Sequence, residues 1–157
     1  MIESPQIVET PAQWVAALHV EVPRSEMQQV MGPGVREAMA AVKTQGLGPT
    51  GPWFVHHLKL APAFFDFDIC VPVSDPLTAI GRVRPWQRPA FKGVRAIYQG
   101  PYEGLGAAWH ELGLWVTMNG LKTASDLYEC YWVGPDSSPN PADWRTELSR
   151  ELIEQRP

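Results

Sequence analysis

Apolar and polar positions alternate with a period of two over residues 13–22, "QWVAALHVEV", and then switch to helical spacing over residues 35–46, "VREAMAAVKTQG". Period two sends successive side chains to opposite faces of a strand, whereas a period near 3.6 gathers one face of a helix. Strand-like runs follow at "GPWFVHHLKL" (51–60) and "FFDFDICVPV" (64–73). The order then repeats. "FKGVRAIYQ" (91–99) reads as a strand, "YEGLGAAWHELGLWVTMNG" (102–120) as a helix, "DLYECYWV" (126–133) as a strand and "RTELSRELI" (145–153) as a weaker last one. Each half is strand, helix, strand, strand.

Local signals support these elements. Leu105, Ala108, Trp109, Leu112, Trp115 and Val116 form one apolar stripe, with Glu103 and His110 off it. Gly46 and Gly120 stand where left-handed caps end the two helices. "VMGPGV" (30–35) interrupts the first helix, which predicts a short turn over Ser25 to Met31 and a main helix from about Pro33. Asn140 and Pro141 suit the N-cap and first position of one helical turn before the last strand.

Helices followed by strands that pair in hairpins predict an α+β fold: duplicated strand-helix-strand-strand modules, antiparallel sheet, a pseudo-twofold relation and a ligand cleft at the module seam. The first module spans about residues 12–74 and the second about 90–152. Residues 75–89, rich in Pro and Arg, read as a linker with at most an edge strand near Arg82 to Arg84.

Composition narrows the function. The 157 residues, 45% hydrophobic and 19% charged, are enough for one folded domain. A net charge of −4 without basic runs argues against direct nucleic-acid binding. The start, "MIESPQIVETPAQ", lacks a signal-peptide pattern and no run of 18 apolar residues occurs, so a cytoplasmic protein without a membrane segment is expected. Cys70 and Cys130 lack metal-ligand spacing and read as reduced core thiols, and no metal or cofactor is expected. His110 and Glu111 open "HELGL", but Leu114 replaces the second histidine of a zinc-protease motif.

The candidate chemistry centres on Glu129 within "DLYECYWVGP". Alternation places it with Leu127 and Tyr131 on one strand face, opposite Tyr128, Cys130 and Trp132. Such an acid either points into an enclosed aromatic space, guards an edge strand, or pairs with Arg95. Seven tryptophans supply either core or ligand-stacking surface. Asp66 and Asp68, alternating with phenylalanines, read as a solvated outer face, and His56 and His57 point to opposite faces.

Taken together, "GPYEGLG" opening a helix, Gly120 closing it, "YECYWVGP" and "DWRTEL" resemble the GyrI-like small-molecule-binding domain, over about residues 12–152. That family includes effector-binding domains of AraC-type and multidrug-sensing transcription regulators, a gyrase-inhibiting protein, drug-binding proteins and hydrolases of cyclopropanoid compounds. The resemblance implies an aromatic cleft holding one acid, here Glu129. With thirteen residues before Trp14 and five after Leu152, a stand-alone form without a helix-turn-helix is expected. His56 and His57 depart from the tyrosine often found in the first-half strand. The ligand-binding set is then Glu129, Tyr98, Trp109, Tyr131, Trp132, Trp53, His56 and Phe65, for a hydrophobic, planar or cationic molecule. As a hydrolase, the chain would use Glu129 as general base, with Tyr131 or Tyr98 steadying the leaving oxygen. A third reading is a protein partner such as gyrase.

Overall fold

In the computed structural model, which describes residues 2–60, 63–135 and 137–153, the chain divides into two units, residues 11–90 and residues 1–10 with 91–157. The elements run β1 (Gln6–Thr10), β2 (Gln13–Pro23), α1 (Met27–Thr44), β3 (Phe54–Leu60), β4 (Phe64–Pro72), β5 (Val83–Arg88), β6 (Phe91–Gln99), α2 (Leu105–Met118), β7 (Lys122–Thr123), β8 (Leu127–Val133) and β9 (Arg145–Ile153). The architecture is α+β with antiparallel sheet, as the repeated pattern predicts.

In the unit of residues 11–90 the strand order is β3-β4-β2-β5. Helix α1 covers the face that carries Leu18 and Ile69, burying Gly34, Ala38, Ala41 and Val42 at helical spacing. It approaches closely at Gly34, where an added Cβ would stand 2.6 Å from Cδ1 of Ile69. This corrects the expected break at "VMGPGV": α1 runs unbroken through Pro33. The proline removes one helical hydrogen bond, and close packing of the following turn outweighs that loss. Strand β5 is longer than the expected stretch and lies along the outer edge beside β2, a position that accommodates Pro85 opposite Ala16.

In the other unit the order is β1-β6-β9-β8, with short β7 on the end of β9. The pairing scheme repeats: in both units the last strand of the strand-helix-strand-strand run lies between the other two. An additional strand, β5 in one unit and β1 in the other, joins the first strand. Strand β9 is therefore interior rather than weak, with Thr146 and Leu148 fully buried. Its polar composition concealed this. Helix α2 packs Ala108, Leu112 and Val116 on Val94, Ala96, Tyr98 and Leu148, flanked by Leu105, Trp109 and Trp115.

Both helices end in the same cap. Gly46 and Gly120 each have φ of 68°, which L side chains rarely adopt. Leu47 N–H donates to Val42 O and Leu121 N–H to Val116 O, closing paired Schellman motifs. Asn140 accepts from Ala142 N–H and caps the turn Pro141–Asp143. Among the described residues, no helix is long and apolar enough to cross a membrane.

Candidate functional site

Register explains why an acid stands under α2. Across β6, β9 and β8, Ala96, Leu148 and Glu129 form one row, and Tyr98, Thr146 and Tyr131 form the next row on the same face. Ala96 and Leu148 meet the helix core, so Glu129 continues an apolar row and is only 7% exposed. Trp109 follows Ala108 on α2, about 100° around the helix axis, and its Nε1 donates to Glu129 Oε2 at 2.7 Å. Tyr131, two residues along β8, donates its hydroxyl to Oε1 at 2.8 Å. An indole N–H only donates. The carboxyl group therefore accepts at Oε2, and its two oxygens are held by two aromatic side chains.

The pair extends into an aromatic run. Tyr102 meets Tyr131 edge to face at 5.7 Å, and Trp144 lies 4.7 Å from Tyr102. Trp144 is itself anchored by Nε1 donating to Ser138 O at 3.0 Å. Burial first, and then the adjacent negative charge of Glu129, hold the Tyr131 phenol well above its ordinary range, so it stays a donor. Thr146, next to Tyr131 in register, is fully buried, and its Oγ1 has no hydrogen-bond partner among the described residues.

The other predicted residues each have their own surroundings within their unit. Tyr98 is buried in the same unit, but its hydroxyl donates to Pro101 O at 2.7 Å and holds the turn into α2. Trp132 sits where the β8–β9 register shifts and is 52% exposed. His56, in the unit of residues 11–90, is buried and stacks on Trp86 at 5.3 Å. Phe65 lies beside His57 and under the Arg24 guanidinium, and Trp53 immediately precedes β3. Arg95, considered as a partner for Glu129, lies on the other sheet face and pairs with Glu147 at 3.5 Å.

Asp68 corrects the expectation of a solvated face. It is 3% exposed because Arg84 Nη2, at 2.7 Å, and His19 Nδ1, at 2.9 Å, close over its two oxygens. Sequence reasoning did not single out Tyr102, Trp144 or Thr146. The first two lie in or beside turns, where periodicity is silent, and Thr146 is one polar residue in a polar strand.

Residues 3–149 match the family model of the GyrI-like small molecule binding domain. Among solved structures the chain is similar to the EcmrR C-terminal domain, with 25% identity and a TM-score of 0.86 over 97% of this chain and 98% of that one. In the EcmrR–DNA complex the chain spans 58% of the length of EcmrR. Two further likenesses are of fold alone. A hydrolase from Listeria innocua matches at 13% identity and TM-score 0.70, over 95% of this chain and 91% of that one. SAV2435 bound to tetraphenylphosphonium matches at 12% and 0.64, over 96% and 94%. No curated protein matches the sequence.

Proposed function

We propose, from the premise that the chain belongs to the GyrI-like small molecule binding domain family, that it binds a hydrophobic cation of planar or aromatic shape against Glu129. The carrying observation is a buried carboxylate whose two oxygens are held by Trp109 and Tyr131. Negative charge sheltered from water attracts a cation more strongly than the same charge in solvent, and neighbouring ring faces add roughly 0.5–2 kcal/mol per cation–π contact. A lipophilic cation also loses less hydration on entry than a small ion does. That SAV2435, a protein of the same fold, is bound to tetraphenylphosphonium supports this ligand class.

Hydrolysis fits the same geometry less well. Two donors already occupy lone pairs that a general base would turn toward water. The likeness to a hydrolase is one of fold.

Titration with tetraphenylphosphonium, followed by tryptophan fluorescence, tests the reading. A saturable change is expected, weakened about tenfold or more in Glu129→Gln, equivalent to about 1.4 kcal/mol. No saturable change, or equal affinity in the variant, overturns it.

A further inference from the structure

On the face of the β2–β4 pair turned away from α1, His19 stands opposite Asp68 and Glu21 opposite Asp66. We propose that His19, Glu21 and Asp66 form a binding site for a divalent first-row transition ion of the Zn²⁺ type, with Asp68 as its positioning residue. All four side chains lie in the unit of residues 11–90, whereas Glu129 belongs to the other.

The two nitrogens of His19 have different surroundings. Nδ1 lies 2.9 Å from Oδ1 of Asp68, whose other oxygen is held by Arg84 at 2.7 Å. A buried carboxylate fixed in this way orients the ring with its proton on Nδ1, leaving the Nε2 lone pair outward. Nε2 faces Asp66 Oδ1 at 3.2 Å, yet that buried oxygen makes no hydrogen bond among the described residues. Their separation is close enough for an ion pair, but the two groups are not aligned as donor and acceptor.

This is the relation of two ligands that share a metal. Ligand atoms about 2.0–2.2 Å from Zn²⁺ stand about 3.0–3.5 Å apart for angles between octahedral and tetrahedral. Each then points at the ion rather than at its neighbour. The carboxylate of Glu21 supplies the third ligand, all three ligand atoms lying within 4.8 Å of one another. One imidazole with two carboxylates favours a borderline ion over Ca²⁺ or Mg²⁺. Three carboxylates gather here against Arg84 and Lys59, the latter opposite Asp66 on β3, which leaves an excess of negative charge for a dication. His19 and Glu21 are exposed, so an ion has direct access and water can fill its remaining positions.

The experiment titrates the chelator-treated full chain with Co²⁺, read by its visible d–d absorption, and with Zn²⁺ by calorimetry. One ion per chain is expected, with micromolar affinity. His19→Gln and Glu21→Gln, both at exposed positions, should each weaken binding at least about tenfold, with circular dichroism confirming that each variant is folded. Asp68→Asn should weaken it about 10–100-fold while one-to-one stoichiometry is kept. Absence of a one-to-one site below millimolar concentration overturns the proposal. So does unchanged affinity in either His19→Gln or Glu21→Gln.

Discussion

Trp109 and Glu129, twenty residues apart in sequence, are joined by a 2.7 Å hydrogen bond from indole Nε1 to carboxylate Oε2. The bond ties α2 to β8 and gives the buried Glu129 carboxyl group an aromatic donor. Trp109→Phe keeps a ring but removes the N–H. A hydrogen bond to a charged group contributes about 1.5–3 kcal/mol, so denaturant unfolding should show a loss of that order. Tetraphenylphosphonium affinity should change with it. If stability and affinity both stay as in the parent, the bond orders nothing that the ligand uses.

Gly104 and Tyr98 give a second test. A Cβ on Gly104 would overlap the Tyr98 hydroxyl oxygen and stand 2.8 Å from ring carbon Cζ. The ring cannot yield cheaply, because it is buried and its hydroxyl is bonded to Pro101 O. Gly104→Ala should therefore cost about 1–3 kcal/mol through overpacking. Gly106→Ala, two residues on, meets nothing within 4 Å and should gain up to about 1 kcal/mol in helix propensity. Thermal unfolding of the two variants should move in opposite directions. A stabilised Gly104→Ala would show that Tyr98 is not held by its turn.

How much of this was legible in the sequence differs by element. The α2 stripe was readable because one helix face does one job, and the left-handed caps were readable because glycine is favoured there. The continuity of α1 through Pro33 was not, since packing of Gly34 on Ile69 is a tertiary fact that outweighs a local signal. Likewise β9 looked weak because its alternation is drawn in Thr, Glu, Ser and Arg. Glu129 stood out as an acid in an aromatic strand, but its donors did not: Trp109 lies on another element and Tyr131 shares its face only once the strand is assumed. The His19, Glu21 and Asp66 cluster joins residues more than forty positions apart, which no spacing motif detects.

Thr146 carries a fully buried hydroxyl without a hydrogen-bond partner among the described residues. Burying such a group costs about 1–3 kcal/mol, and Val has nearly the same shape without the oxygen. Thr146→Val should hold or raise stability, by up to about 1 kcal/mol, or roughly 2–4 °C in Tm for a chain of this size. A loss of more than about 1 kcal/mol would show that the hydroxyl is satisfied in solution, with an ordered water as its natural partner.

Alkaline pH should weaken the fold, and the sign follows from two raised groups. Burial, then the negative charge of Glu129, raises the Tyr131 phenol well above 10.0. Burial, then the charge of Asp68, raises the Cys70 thiol above its ordinary 9.0 against the opposing pull of Arg84 and Arg88. Below those ordinary values both the folded and unfolded chains hold these protons, and the contribution to stability is fully present. Above them the unfolded chain releases protons that the folded chain retains, so unfolding becomes easier as pH rises toward the folded values. Denaturant unfolding should show stability falling once pH passes the ordinary thiol value, and falling more steeply past the ordinary phenol value. Cys70→Ala should remove the first part of the decline and Tyr131→Phe should reduce the second. A stability profile that stays flat from neutral pH to beyond the phenol range would contradict both assignments, as would rapid alkylation of Cys70 in the folded protein.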